Sequence, residues 1–163
     1  MKSIEQAIKM LQSGGMVVVA DSEDRENEGD LICAAIHASP KNINFMTKEA
    51  RGLICVPMTG ERLDQLGLAA MTRNNMDPHG TAFTVSVDAI EGITTGISSF
   101  ERSKTIMQLI DPLKGPNDFR QPGHIFPLRA RDGGVLSRAG HTEASIDLCE
   151  LAGLPKAGVI CEI

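Results

Sequence analysis

Ten residues decide most of what this chain can fold into. Asp21 to Asp30 read D-S-E-D-R-E-N-E-G-D, six carboxylates around a single cation, Arg25, directly after the run Met16-Val-Val-Val-Ala20. An apolar β-branched run of that length predicts a buried strand. The acidic cluster then falls at a strand end, where an α/β protein holds its chemistry. Carboxylates this dense repel one another once water is removed, unless a metal ion or basic ligand offsets them. A solvated acidic turn is the competing reading, and the decapeptide alone does not choose.

A second stretch supplies the complement. Residues 137–145 read S-R-A-G-H-T-E-A-S, and Thr142 precedes apolar residues at helical spacing, Ala144, Ile146, Leu148 and Leu151. The pattern predicts a helix with Thr142 as N-cap and Gly153 as stop. A helix N-terminus presents free N–H groups and a positive dipole end, which suit a phosphate, and Arg138 adds a forked donor. His141 stands beside that anion site as a metal ligand or proton carrier. A capped surface helix with an incidental histidine and arginine accounts for the same letters, so this stretch alone also leaves two readings open.

Helix and strand patterns alternate along the rest of the chain. Ser3 is predicted to cap a helix with Ile4, Ala7, Ile8 and Leu11 on one face, ended by Gly14-Gly15. After the acidic loop come an apolar run at Leu31–Ile36 and a helix from Ser39-Pro40 through Arg51, with Pro40 at its first position. A short buried strand at Leu53–Pro57 and a short helix at Gly60–Leu66 follow, then loop over residues 67–80. Phe83, Val85 and Val87 alternate with Thr84, Ser86 and Asp88, the pattern of a half-buried strand. A helix from Ser98 or Ser99 reaches Ile110, and a Pro/Gly-rich loop, Asp111–Gly123, leads into a strand at Ile125–Arg129. The helix Thr142–Ala152 and a strand at Val159–Ile163 complete the order. It is neither strict βαβ alternation nor strands followed by helices, so an α+β fold with a mixed sheet covered by helices fits best.

Composition excludes more than it identifies. The 163 residues make one domain of ordinary size, and no apolar run approaches a membrane span. The amino terminus carries acid and lacks an apolar signal core. A net charge of −5 with no basic stripe argues against nucleic acid. Cys33, Cys55, Cys149 and Cys161 lie far apart in apolar segments and read as reduced thiols of a cytoplasmic protein. The eight methionines read as core filler.

Six blocks in order cover nearly the whole chain: D-R-E-N-E-G-D (24–30), R-G-L-I-C-V-P (51–57), T-T-G-I-S (94–98), P-G-H-I-F-P-L-R (122–129), R-A-G-H-T-E-A (138–144) and G-V-I-C-E (158–162). Together they resemble the 3,4-dihydroxy-2-butanone 4-phosphate synthase family of riboflavin biosynthesis. The resemblance implies a three-layer α/β/α sandwich around a mixed twisted sheet, one domain over residues 1–163. It also implies a homodimer with active sites near the subunit interface. The implied activity is that of a Mg²⁺-dependent lyase, with Mn²⁺ as an open alternative. It turns the phosphosugar D-ribulose 5-phosphate into L-3,4-dihydroxy-2-butanone 4-phosphate and formate, through proton removal, an enediol and a skeletal rearrangement.

Carried over position by position, Glu26 and His141 match the metal ligands. Arg25, Glu26 and Asp30 match substrate contacts, as do Arg138, Ala139, Gly140, His141 and Thr142. Glu162 and His124 match groups essential to catalysis, Glu162 also at the substrate, and Cys55 sits where members carry a thiol near it. Asp21 and Glu28 share the acidic loop and are expected to orient waters or substrate hydroxyls, and Thr95 to supply a hydroxyl or amide donor. Without the resemblance, His124 reads as a turn residue, Cys55 as a small buried hydrophobe, His37 and His79 as surface residues, and Arg102 and Lys104 as solvated helix positions. Family chains usually continue past the position of Ile163, with further helix and strand or a fused GTP cyclohydrolase II domain, so a missing C-terminal extension is expected here. Two other classes compete with this reading. A non-catalytic or truncated phosphosugar- or metal-binding domain would be marked by loss of Glu26, His141, His124 or Glu162, and all four are present. A nucleotide- or RNA-binding module would need a basic face, and none is visible.

Overall fold

The computed structural model describes residues 3–163; Met1 and Lys2, the start of the amino-terminal stretch read above, lie outside them. Helix α1 (Ile4–Gln12) opens with a capping box, in which the Ser3 side chain accepts from the Gln6 amide and the Gln6 side chain accepts from the Ser3 amide. Strands β1 (Val17–Ala20) and β2 (Gly29–Ala34) follow as an antiparallel hairpin. Helix α2 (Pro40–Phe45), strand β3 (Cys55–Met58), helix α3 (Gly60–Gln65) and strand β4 (Val87–Ala89) come next. Helix α4 (Ser99–Ile110), strand β5 (Phe119–Arg129), helix α5 (His141–Leu151) and strand β6 (Gly158–Glu162) complete the chain. Ser39, Thr59 and Ser98 each accept the amide three residues on, which sets where α2, α3 and α4 begin.

The strands form one open mixed sheet in the order β1-β2-β6-β3-β5-β4, with β3 and β5 parallel and every other neighbour antiparallel. Leu31 and Cys33 of β2 join Ile43, Met46, Leu63, Ile106 and Leu109 in the main core, which fills the face under α2, α3 and α4. The alternate residues face the other way: Ile32 meets Cys55, Leu128 and Ile160 in a smaller cluster. On that face Ser145 of α5 packs against Gly158, and α1 packs beside α5. This is the expected sandwich of helices on both faces of a mixed sheet.

Several local expectations need correction. Strand β1 is an edge strand rather than a buried one, and Val18 is 61% exposed. The second half of the predicted helix to Arg51 is a π-helical turn over Met46–Ala50, stopped by Arg51 in the left-handed region. The predicted strand at 83–88 shortens to Val87–Ala89, and its polar residues are buried along with Val87, while Phe83 and Val85 are half-buried: Thr84, Ser86 and Asp88 are at most 8% exposed. They are tolerated there because each holds a backbone or ring group of β5 by hydrogen bonds. Strand β5 starts six residues before the predicted Ile125, inside the Pro/Gly-rich segment. Helix α5 begins at His141 with Gly140 as N-cap, so Thr142 is its second residue and not its cap. Arg102 is half-buried with its Nε unpartnered, not solvated, whereas Lys104 is exposed. Met46 and Met58 are core, but Met76 is 84% exposed. All four cysteines are buried and unpaired.

Candidate active site

The acidic decapeptide is the loop of the β1–β2 hairpin, in which Ala20 stands opposite Gly29. Asp21 shapes that loop from inside. Its Oδ2 accepts from Arg25 Nη1 (2.7 Å) and the Glu26 amide (3.1 Å), and its Oδ1 from the Glu28 amide (3.0 Å). Burial alone would raise the Asp21 carboxyl, but the two amides and the guanidinium outweigh it and bring it to about 2. Arg25 Nη1 also donates to Glu26 Oε2 at 2.9 Å, so one cation offsets two carboxylates.

The sheet supplies the next two acids. Asp30 on β2 is paired in register with Glu162 on β6, which sets two carboxylates side by side on adjacent strands. Burial, then the charges of Asp30, Glu28 and Glu26, raise Glu162 above the usual carboxylate range. His141, the first residue of α5, brings its Nδ1 to 3.4 Å from Asp30 Oδ1. The Asp30 carboxylate, working against burial and helped by Asp21 and Glu26, raises this imidazole above its ordinary value. Asp30 Oδ1 and His141 Nε2 are both buried and neither has a hydrogen-bond partner.

Arg138 ties the start of α5 to the loop before β4. Its Nη1 donates to Glu143 Oε2 (2.7 Å), its Nε to the His79 carbonyl (3.0 Å) and its Nη2 to Thr81 Oγ1 (3.0 Å). Glu143 is 1% exposed and takes the Arg131 amide as well, so the guanidinium is fixed from within the fold. The loop it holds is a tight turn in which Asp77 Oδ2 accepts the Thr81 amide at 2.7 Å. That turn carries His79, whose Nδ1 stands 3.7 Å from Glu26 Oε1.

These groups surround one cavity of about 410 Å³. Of the residues singled out in the sequence, Arg25, Glu26, Glu28, Asp30, Cys55, Arg138, His141, Thr142 and Glu162 line it. Cys55 forms part of an apolar wall with Leu53, Phe83, Leu128 and Ile160. Burial and then the Glu162 and Asp30 charges push its thiol well above the ordinary range, which favours the neutral, unreactive form. Asp21, Ala139 and Gly140 do not line the cavity; they frame the residues that do. No side chain caps α5, so its first amides have no side-chain partner.

Two predicted residues lie elsewhere. Thr95 sits in the turn before α4, where Glu101 accepts from the Thr94 amide and hydroxyl, the Gly96 amide and the Ser98 hydroxyl. Those bonds, led by the Thr94 amide, hold the Glu101 carboxyl at about 2. His124 is four residues before the cavity-lining Leu128 on β5, about 13 Å along the strand. It is paired instead with Asp88, whose Oδ2 is 2.8 Å from its Nδ1.

Sequence reasoning passed over His79, Thr81, Asp77 and Asp88. The first three did leave a signal. An Asp-Pro turn inside a long loop of a compact domain is the kind of segment that carries function.

Carboxylates, an imidazole and a guanidinium fixed from within the fold thus line one cavity of a mixed α+β sheet, the make-up of a candidate active site. Residues 5–163 match the family model described as 3,4-dihydroxy-2-butanone 4-phosphate synthase, and the chain belongs to that family. It is 59% identical over 163 residues to the riboflavin biosynthesis protein RibBA of Synechocystis, covering 99% of this chain and 29% of that protein. It is 55% identical to the 3,4-dihydroxy-2-butanone 4-phosphate synthase of Neisseria meningitidis serogroup B, covering 98% of this chain and 44% of that one. The chain thus spans less than half the length of these relatives. A crystal structure of 3,4-dihydroxy-2-butanone 4-phosphate synthase in complex with two magnesium ions superposes with a TM-score of 0.97 at 48% identity. The match takes in all of this chain and 76% of that one. RibBX of A. baumannii, a two-domain synthase, gives 0.94 at 50% identity over 99% of this chain and 48% of that one.

The residues present suit such an ion. Glu26, Asp30 and Glu162 offer hard oxygen donors, and two buried polar atoms, Asp30 Oδ1 and His141 Nε2, lack a partner that a cation would supply. No three His, Cys, Asp or Glu side chains among the described residues form a ready-made cage. Mg²⁺ needs none, since it keeps several waters and takes few protein ligands.

Proposed function

We propose that this chain is a lyase of riboflavin biosynthesis that converts D-ribulose 5-phosphate to L-3,4-dihydroxy-2-butanone 4-phosphate and formate, with Mg²⁺ as cofactor and Mn²⁺ as a possible replacement. One observation carries this reading: Glu26, Asp30, Glu162 and Arg138 line one cavity together with His141, the first residue of the uncapped α5. Its volume of about 410 Å³ suits a small ligand. Charge then fixes the substrate's direction. The phosphate is repelled by the carboxylates and drawn to Arg138 and the α5 amides, which leaves the sugar hydroxyls beside the acids.

Glu26 and His141 are the residues to hold the divalent ion. When bound, it supplies a Lewis acid that draws electron density from adjacent sugar oxygens. Glu162, already raised, takes and returns a proton beside them. Asp30 orients His141, Arg25 holds the Glu26 carboxylate, and the wall of Cys55, Leu128 and Ile160 keeps out water. A GTP cyclohydrolase II domain, fused or associated, is the protein partner of this reading. Incubation with ribulose 5-phosphate with and without Mg²⁺, followed by a formate assay, tests it; no formate in either arm defeats it.

Arg138→Lys is the gentlest probe of the phosphate end, because a positive charge stays beside the buried Glu143. A point charge in place of a fork is expected to raise KM about tenfold while kcat changes little, and sulfate should compete. An unchanged KM would move the phosphate elsewhere.

His124 is placed by this reading in the cavity of a second copy, in a homodimer whose sites are shared. Mixing unfolded Glu26→Ala and His124→Ala chains and refolding them together should then restore about a quarter of the parental rate, because half the dimers are hybrids with one intact site. A mixture as inactive as its components would show that the sites are not shared.

A further inference from the structure

The environment of His124 is built by buried side chains in and just before β4. In β4, Val87 pairs with Ile125 of β5, yet the very next residue, Asp88, pairs with Arg120. Residues 121–124 of β5 therefore bulge out of the ladder, a device that re-aims side chains beside active sites. Two buried side chains hold the bulge. Ser86 Oγ accepts the Gly123 amide at 3.1 Å, and Asp88 Oδ1 accepts the His124 amide at 2.9 Å. The other Asp88 oxygen, Oδ2, meets the ring Nδ1 of the same residue at 2.8 Å. A single carboxylate, its side chain 5% exposed, thus grips His124 by backbone and ring together.

Both glycines nearby are required by this grip. A Cβ on Gly123 would lie 2.0 Å from the Val87 carbonyl carbon and 2.2 Å from the Asp88 amide nitrogen. A Cβ on Gly96, which has φ +94°, would lie 2.2 Å from Asp88 Oδ2. The P-G-H and T-T-G-I-S blocks converge on one carboxylate: the first lays His124 against it and the second covers it.

We propose that Asp88 is the positioning residue of His124, fixing its tautomer so that Nε2 is the proton-accepting atom. An ionised carboxylate only accepts hydrogen bonds, so the 2.8 Å contact requires the proton on Nδ1. The lone pair of the neutral ring is then on Nε2, and the side chain is 40% exposed, open to whatever approaches from outside the chain. Nε2 takes a proton from the bound sugar, the ring becomes imidazolium with its new charge facing Asp88, and the same proton is later returned. The inference rests on the reading above that His124 acts in catalysis.

Asp88→Asn tests it, because the amide keeps the size of the carboxylate and still accepts the His124 amide but turns an N–H donor toward Nδ1. The expected result is a fall in kcat of about a hundredfold or more with KM little changed. In ¹⁵N spectra of ring-labelled protein the His124 proton should move from Nδ1 to Nε2. Two results overturn the proposal: parental kcat in Asp88→Asn while His124→Ala is inactive, or lost activity with the proton still on Nδ1. Parental kcat in His124→Ala would instead remove the catalytic reading of His124 itself. If the variant fails to fold, the parent spectrum decides, since a ring carrying its neutral-form proton on Nε2 excludes the proposed grip.

Discussion

Glu26→Ala and His141→Ala are each expected to reduce formate release below detection while leaving a cooperatively folded chain. Glu26 belongs to a hairpin loop and His141 to the first turn of α5, so neither contributes to the main core under α2 and α4. Added Mg²⁺ should raise the parent's melting temperature and should do so less in either variant, since an ion that binds only the folded chain stabilises it in proportion to its occupancy. Retention of activity by either variant, with the thermal response to Mg²⁺ intact, would take that residue out of the metal site.

Glu162→Gln should cost about 10²–10⁴-fold in kcat with little change in KM, the signature of a group whose contribution falls in the transition state. Glutamine keeps the size and hydrogen-bonding capacity but cannot take a proton. The geometry behind this is the pairing of Glu162 with Asp30 across β2 and β6 and the crowd of carboxylates that raises it. A variant that releases formate at the parental rate would show that another group handles the proton.

Much of this was legible in the letters because the signals are local. Ser3 with Gln6, Ser39 before Pro40, and Ser98 before its helix are caps whose chemistry is complete within four residues. The acidic run after a β-branched strand reads as a strand-end loop without knowledge of anything distant. Where the reading failed, the deciding partner lay far along the chain. Residues 119–124 look like loop from their proline and glycine, and they pair because Ser86 and Asp88, 37 and 36 positions earlier, hold the bulge. Distant partners also explain why Thr84, Ser86 and Asp88 are buried when alternation alone turned them outward: they bond Pro127, Gly123 and His124 of β5. Thr142 looked like an N-cap by type, but Arg138 and Glu143 bridge across Gly140 and set the helix start earlier. His79 is a surface residue as read, but nothing within its own segment shows that Arg138, 59 positions on, holds its turn at the cavity it lines.

The pairing of Asp30 with Glu162 also works against the fold. Like charges directly opposite on neighbouring strands weaken a sheet, and here they stand on β2 and β6, near the middle of the order. The polypeptide holds this frustration in place because the surrounding core over-determines the register. Glu162→Gln, the change that should silence the reaction, should therefore relieve the strain and make the protein harder to melt. Activity and stability are then set against each other at this one pair of carboxylates.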